Sequence, residues 1–377
     1  MTHPIYSFLT AFAITYFLIP PIVRTALAKH LYDEPVARSS HAIPTPSLGG
    51  VGIFGGIFIA LLLWTPHTSF ANLQYLLVAI IIVFLTGVKD DLVPMSAKKK
   101  LLAQLLAAGI IVYVADIRLE SFHGMLGWSN AMPYGLSLVL SVFTILVIMN
   151  AFNLIDGING LGGGIGVVVF STLGTWFYLT DSVPYATLAF AGAGAFLAFL
   201  RFNLIPPAQT FMGDTGSLVL GTIAAMLTLV FIEQNDLLPL DNPLRVSTAP
   251  VVAITIISIP LFDTLRVFST RCLRGFSPFS PDRRHIHHLL IDSGRTHLTA
   301  TGILVLANIL VIALVFSLHP YLEQHLLLLL VIGLFAVPTY ALHRAVLRRK
   351  KLLDLFHSPP TKPAKSLKKV FPSERVT

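Results

Sequence analysis

Apolar segments long enough to cross a lipid bilayer follow one another along almost the whole chain. A transmembrane helix needs roughly 20 mostly apolar residues, and by that measure the sequence contains about eleven such segments. Hydrophobic residues make up 55% of the chain and charged residues only 12%, with a mean hydropathy of +0.78. We therefore predict an all-α polytopic membrane protein with about eleven transmembrane helices. The predicted spans are 5–28, 47–64, 72–88, 100–118, 135–153, 161–180, 184–203, 216–232, 249–269, 300–318 and 323–345.

Lysine and arginine are divided unevenly between the loops on the two sides of the predicted bundle. Basic residues accumulate in cytoplasmic loops, and one set of alternate loops carries only Arg118 and Arg245. This division predicts that the N-terminus lies outside and that the C-terminus is cytoplasmic. A transmembrane domain over residues 1–345 would then carry the site, followed by a basic cytoplasmic tail over residues 346–377. The charge of this tail favours contact with anionic lipid over nucleic acid.

Polar motifs interrupt this apolar pattern at the ends of predicted spans. They are Asp90-Asp91, the segment from Asn153 to Gly157, the segment from Gly213 to Gly216, and the histidines within 285–288. All of them fall on the side assigned to the cytoplasm. Ionisable residues at membrane depth are costly and usually serve a function. The sequence therefore predicts a single site that is assembled from segments far apart in the chain.

The first motif combines paired carboxylates with lysines. Asp90 and Asp91 end an apolar run, and a run of three lysines that ends at Lys100 follows them. Mg²⁺ binds hard oxygen ligands and often bridges to substrate phosphates, whereas lysine meets phosphate as a point charge. The motif predicts a site for a metal–diphosphate substrate. Taken alone, it is equally well interpreted as an ordinary solvated loop.

Amide and carboxylate groups recur at helical spacing in the second motif. Asn150, Asn153 and Asp156 are three residues apart and can share one helical face, which Gly157 ends. Asn159 follows in the same segment. A helix cap does not need three polar groups in register, so we favour a functional role for this motif.

The remaining motifs allow more than one interpretation. Asp214, at a predicted helix start, is either a plain N-cap or part of an anion and metal site. The histidines within 285–288 could bind zinc, but the hard oxygen groups elsewhere and the adjacent arginines favour an anionic substrate. Asp263, inside a predicted span, is either functional or paired with Arg266 or Arg271.

Taken in order, these motifs resemble the polyprenyl-phosphate N-acetylhexosamine-1-phosphate transferase family. The resemblance covers about residues 5–345. Besides the motifs above, it includes an early stretch made of Asp33-Glu34-Pro35, Arg38, His41, Pro44-Thr45-Pro46 and Gly49-Gly50. The segment 277–288 is most similar to the bacterial WecA-type branch of this family.

The resemblance implies an activity, a cofactor and a location. Enzymes of this branch transfer N-acetylglucosamine-1-phosphate from a UDP-sugar to undecaprenyl phosphate and release UMP, the first membrane step of cell-surface polysaccharide synthesis. UDP-N-acetylfucosamine or another UDP-N-acetylhexosamine is the alternative donor. The implied cofactor is Mg²⁺, with Mn²⁺ as a substitute. The implied location is the bacterial inner membrane, with the active site facing the cytoplasm, and a homodimer is an open alternative to a monomer.

The resemblance also assigns roles to individual residues. It implies catalytic roles for Asp90, Asp91 and Asp156, and metal ligation by Asp214, Asn153 and Asp91. The residues implied to contact substrate are Lys100, Asn150, Asn153, Asn159, Arg283, His285, His287 and His288. The chain departs from the bacterial pattern at Asn159, where an aspartate is usual, and the eukaryotic branch of the family also has asparagine there.

A membrane transporter or flippase is the rival class of function. Transporters place their sites near the bilayer midplane, often between internal repeats, whereas here the acidic residues gather at helix ends. For the transferase, we expect direct attack by the lipid phosphate rather than a covalent aspartyl-phosphate. A phosphomonoester with a second pKa of about 6 is mostly a dianion at neutral pH and hardly needs a base.

Overall fold

The helices follow from long apolar runs that satisfy their backbone hydrogen bonds internally. The structure, a computed structural model, describes residues 3–32, 45–66, 70–276 and 285–357. The α-helices in these ranges are α1 (His3–Ala28), α2 (Gly49–Trp64), α3 (Phe70–Leu92), α4 (Ala97–Gly109), α5 (Tyr134–Ile155), α6 (Leu161–Leu179), α7 (Val183–Asn203), α8 (Gly213–Leu237), α9 (Ala249–Ile256), α10 (Ser258–Cys272), α11 (Ile286–Asp292), α12 (His297–Leu318) and α13 (Gln324–His357).

Most of these helices are long enough to cross a membrane. Eight qualify by length and composition among the described residues, and α9 with α10 makes a ninth if this pair, bent by 82°, is one span. The prediction of an all-α polytopic membrane protein is confirmed. The predicted spans 47–64 and 100–118 correspond to α2, with 16 residues, and to α4, with 13 residues followed by a π-helix of 5. The count of eleven and the orientation of the termini stay predictions.

Helix α8 forms the centre of the bundle. Every residue of its apolar window is buried, and it packs against α2, α3, α5, α6 and α9. Two threonines in its interior bond within the helix, because Thr222 Oγ1 donates to the Leu218 carbonyl at 2.7 Å and Thr228 Oγ1 to the Ala224 carbonyl at 2.7 Å. These two side chains add no polar contact to the buried middle of α8, whose polar contacts with α3 and α5 lie at its N-terminal end.

Glycines allow α2 and α3 to approach the start of α8 closely. A Cβ added to Gly50 would lie 2.2 Å from the Gly216 nitrogen, and one added to Gly87 would lie 2.4 Å from the Thr215 Cα. Small residues at such crossings let helix backbones meet in a membrane. This close approach brings the end of α3, with its paired carboxylates, to the first turn of α8.

The last helix extends past the predicted domain boundary. Helix α13 runs to His357, so it passes residue 345, where the sequence places the start of the tail. Residues 358–377 lie outside the described part of the chain. The beginning of the basic tail is therefore a continuation of a transmembrane helix.

Substituting Gly87 tests the contact between α3 and α8. We expect Gly87→Ala to destabilise the fold by about 1–3 kcal/mol, since the added methyl group meets the Thr215 backbone and the helices must separate. Gly109→Ala is the matched control, because a Cβ there meets nothing within 4 Å. Thermal unfolding in detergent would measure both variants, and equal melting temperatures would contradict the proposed packing.

Candidate active site

A cavity of about 620 Å³ opens where the ends of α3, α5 and α8 meet. Its volume lies in the range of small-molecule sites. Residues from all four polar motifs line it, as the sequence predicts. The polar residues of the lining are Ser47, Asp90, Asp91, Asn153, Asp156, Asn159, Asn203, Asp214, Ser217 and His288.

Asp91 caps the N-terminus of α8. Its Oδ1 accepts from the Asp214 amide at 2.7 Å, and its Oδ2 accepts from the Thr215 amide at 3.0 Å and from Thr215 Oγ1 at 2.6 Å. The first amides of a helix lack intrahelical acceptors and favour a negative charge. Gly213 makes room for this carboxylate, because its φ is +70° and a Cβ there would lie 2.5 Å from Asp91 Oδ2.

Lys100 joins two further carboxylates of the site. Its Nζ lies 3.2 Å from Asp90 Oδ2 and 2.7 Å from Asp214 Oδ1. Asp90 is also anchored through its Oδ1, which accepts from the Met95 amide at 2.5 Å. This bond holds the short connection between α3 and α4, so that the first turn of α4 presents its lysine to the start of α8.

The two asparagines of α5 have different environments. Asn153 Nδ2 donates to Asp214 Oδ1 and, at 2.9 Å, to Ser217 Oγ, so it belongs to the cavity wall. Asn150 Nδ2 donates to the Leu146 carbonyl at 2.7 Å and to Gln104 Oε1 at 3.3 Å. Asn150 is therefore directed at α4, and it is not among the residues that line the cavity in the described part of the chain.

The segment after α5 brings a carboxylate and an amide into the cavity. Burial and the neighbouring charges of Asp214 and Asp91 raise the pKa of the Asp156 carboxyl to about 7, as expected when like charges share a site. Asn159 Oδ1 is buried, and it has no hydrogen-bond partner within the described residues. This acceptor is available to a ligand with an N–H or O–H group.

Asn203 tethers this segment, a role that the sequence analysis missed. Its Oδ1 accepts from the Gly160 amide at 2.5 Å, and its Nδ2 donates to the Thr210 carbonyl at 2.9 Å. It thus joins the loop after α5 to the loop before α8. The one available signal was an amide at the end of an apolar span, in the segment Arg201-Phe202-Asn203.

The histidine motif begins helix α11, which Asp263 anchors at its N-terminal end. Asp263 Oδ1 accepts from the Ile286 amide at 2.9 Å and from Arg266 at 2.8 Å, and its Oδ2 lies 2.8 Å from His285 Nδ1. Of the alternatives left open by the sequence, Asp263 pairs with Arg266 and orients the histidine motif. Arg283, a predicted substrate contact, and Arg284 lie outside the described residues.

The histidines contribute to the site in different ways. His288 lines the cavity. His287 is only 1% exposed and lies against Gly157, where an added Cβ would be 2.4 Å from its Nε2. Burial, followed by the neighbouring charge of His288, lowers the pKa of His287 to about 3. His287 is therefore a neutral ring that supports the segment beginning at Asp156.

The donor atoms of the cavity suit a hard divalent cation. Four carboxylates line it, at Asp90, Asp91, Asp156 and Asp214, and Lys100 is the cation that pairs with two of them. Carboxylate and amide oxygens are the ligands that Mg²⁺ prefers. Within the described residues, no group of three or more histidine, cysteine or acidic side chains is already arranged around one metal position. The cavity therefore fits a divalent cation through the chemistry and the charge of its donor groups.

Comparison with known proteins identifies the same family that the polar motifs resemble. A family model described as glycosyl transferase family 4 matches residues 73–232. A Yersinia pestis protein named undecaprenyl-phosphate alpha-N-acetylglucosaminyl 1-phosphate transferase is 31% identical over 329 residues, which are 85% of this chain and 87% of that protein. Proteins of the same name from Escherichia coli (strain K12), 32% identical over 84% of each chain, and from Salmonella typhi, 33% identical over 75% of each chain, are similar as well.

The sequence similarity to these relatives therefore extends beyond the site and covers most of the chain. The family expected from the polar motifs is confirmed by relatives that match well beyond those motifs. This chain belongs to glycosyl transferase family 4, with the WecA-type undecaprenyl-phosphate N-acetylglucosaminyl 1-phosphate transferases as its relatives.

Proposed function

We propose that the protein transfers N-acetylglucosamine-1-phosphate from UDP-N-acetylglucosamine to undecaprenyl phosphate and releases UMP. The observation that carries this proposal is the cavity lined by His288 and by carboxylates from the end of α3, the segment after α5 and the start of α8. Lys100 pairs with two of these carboxylates. The names of the relatives support the lipid acceptor and the N-acetylglucosaminyl 1-phosphate group. We further propose eleven spans in the bacterial inner membrane, with the cavity and the C-terminus on the cytoplasmic side, where UDP-sugars are made.

The reaction is a phosphoryl transfer between two anions. An oxygen of the lipid phosphate attacks the β-phosphorus of the UDP-sugar, a new O–P bond forms, and the bond to the UMP oxygen breaks. The attacking phosphate is mostly a dianion at neutral pH, so charge neutralisation and alignment limit the rate more than proton removal does. Lys100, which the structure holds between Asp90 and Asp214, can stabilise the charge on the transferring phosphoryl group.

We propose that Asp214, Asn153 and Asp91 hold Mg²⁺ together with the diphosphate. Their oxygens are hard donors, and the four carboxylates of the cavity exceed the positive charge that Lys100 supplies. A bound Mg²⁺ would neutralise the diphosphate and orient it for in-line displacement. Asp91 also has a structural part, because both of its oxygens accept hydrogen bonds from the first turn of α8 and so set the direction of Asp214.

An apolar cavity next to α5 supports the lipid acceptor. It has a volume of about 290 Å³ and is lined by α5, α8, the bent pair α9–α10 and the segment 119–125. Phe143 and Ile148 of α5 line it, and Asn153 of the same helix lies at the candidate active site. An isoprenoid chain that binds here buries its apolar surface while its phosphate remains at the polar end of α5.

A transporter or flippase remains the alternative class. It would move a lipid or a nucleotide-sugar without breaking the diphosphate bond. The position of the carboxylates at helix ends, rather than at the midplane of a pair of repeats, favours the transferase. Release of UMP separates the two classes.

The proposed activity is tested with the purified full-length protein in lipid nanodiscs. We expect UMP to appear only when both undecaprenyl phosphate and a UDP-sugar are present, fastest with UDP-N-acetylglucosamine in a panel that includes UDP-N-acetylfucosamine. Excess EDTA should abolish turnover, and Mg²⁺ or Mn²⁺ should restore it. Absence of UMP with every donor would exclude the transferase, and full turnover in EDTA would exclude the metal.

Removing the Asp91 side chain, which caps the N-terminus of α8, should lower both the stability and the activity of the protein. We expect Asp91→Ala to lower the free energy of unfolding by about 1–2 kcal/mol, because the first amides of α8 lose their acceptor. Thr215→Val removes only the hydroxyl donor to Asp91 and should cost about 1 kcal/mol. Thermal unfolding in detergent measures both, and an Asp91→Ala protein that melts like the wild type would show that the cap is dispensable.

Replacing His288 should weaken donor use more than lipid use. The side chain lines the cavity, and neutral or charged imidazole can hydrogen-bond phosphate, sugar or uracil oxygens. We expect His288→Ala to raise the apparent KM for the UDP-sugar about tenfold, equivalent to roughly 1.4 kcal/mol. His325→Ala, an exposed histidine that pairs with Glu323 instead, is the control. A collapse of lipid affinity with unchanged donor kinetics would reverse the assignment.

A further inference from the structure

Helix α11 is held at both ends by side chains from other helices. It has only seven residues, and isolated helices of that length are not stable in water. Asp263 of α10 binds its N-terminal end through the Ile286 amide and His285. At its C-terminal end, Arg349 of α13 donates from Nη1 to the Asp292 carbonyl at 3.1 Å. The position of α11 therefore depends on α10 and α13.

Gly294 provides the space in which the Arg349 side chain lies. Its φ is +97°, and a Cβ added there would lie 2.4 Å from Arg349 Nη1 and 3.1 Å from Arg349 Cζ. The guanidinium thus lies directly against the backbone that follows α11. An acid at the N-terminal end and a base at the C-terminal end both match the polarity of the helix dipole. The hydrogen bond to the Asp292 carbonyl and the close approach to Gly294 both place the Arg349 guanidinium at this helix end.

A chain of contacts leads from Arg349 to the candidate active site. Helix α11 carries His288, which lines the cavity, and His287, which lies against Gly157. Gly157 follows Asp156, itself part of the lining. A displacement of α11 would therefore move one histidine out of the cavity wall and remove the support of the segment that carries Asp156.

We propose that Arg349 is a positioning residue for the nucleotide-sugar side of the reaction. It acts through α11 and does not line the cavity itself. This inference rests on the proposed function, since it takes His288 to contact the UDP-sugar. It gives one basic residue beyond position 345 a role other than attraction to anionic lipid. Arg348, the preceding residue, makes no hydrogen bond or ion pair with any described residue and carries the same charge.

The kinetic test compares full-length Arg349→Ala, Arg349→Lys and Arg348→Ala in nanodiscs of one lipid composition. We expect Arg349→Ala to raise the apparent KM for UDP-N-acetylglucosamine about two- to fivefold, the range for a base at an exposed helix end. The KM for undecaprenyl phosphate should be unchanged. Arg349→Lys should recover most of the donor affinity, and Arg348→Ala should behave as wild type. Equal effects of the two alanine variants would indicate general attraction to lipid and overturn the proposal.

Amide hydrogen exchange tests the same contact without any turnover. We expect the peptide covering residues 285–296 to exchange faster in Arg349→Ala than in wild type or Arg348→Ala. If the wild type makes no UMP, the proposed function fails, whereas the exchange result still reports on α11. If His288→Ala weakens donor use but Arg349→Ala matches Arg348→Ala in both kinetics and exchange, the positioning role is wrong and the proposed function stands.

Discussion

The bond between Asp91 and the first turn of α8 is the interaction on which the site depends. The first amides of a helix have no intrahelical acceptor, so the N-terminal end of a buried helix needs an acceptor from elsewhere. Asp91 supplies both of its oxygens to that end and thereby ties α3 to α8. With α8 fixed in this way, Asp214 meets Lys100 from α4 and Asn153 from α5. One capping carboxylate thus allows four helices to converge on a single polar point.

The sequence predicts this convergence well, and the physical reason is membrane depth. Polar motifs at the same ends of successive spans must lie at one level of the bilayer, where they can meet. Asp90, Asp156 and Asp214 accordingly line one cavity. The sequence does not predict which hydrogen-bond partner each polar group has. An isolated amide in an apolar run, such as Asn203 or Gln104, carries no pattern that identifies the loop or side chain it bonds.

The bend between α9 and α10 shows a second limit of sequence patterns. Residues 249–269 form one apolar run, which predicts one span, and the structure divides it into two helices bent by 82° at Ile257. Asn308 of α12 compensates the interruption, because its Nδ2 donates to the Ile256 carbonyl at 3.2 Å and its Oδ1 accepts from Ser258 at 2.9 Å. Hydropathy measures the length of an apolar run but not its direction. Pro260 has no amide hydrogen to donate to the Ile256 carbonyl four residues earlier, and Asn308 supplies that donor instead.

Asn159, where the bacterial pattern of the resembling family has aspartate, fits the electrostatics of this cavity. Burial, followed by the charges of Asp214 and Asp91, raises the pKa of Asp156 to about 7, so this part of the cavity already disfavours negative charge. An aspartate at position 159 would add a further negative charge to the same wall. An asparagine retains the oxygen acceptor, which is buried and without a partner among the described residues, and adds no charge. A neutral acceptor at this position can therefore accept a hydrogen bond from a donor group of the substrate without adding to the negative charge of the cavity wall.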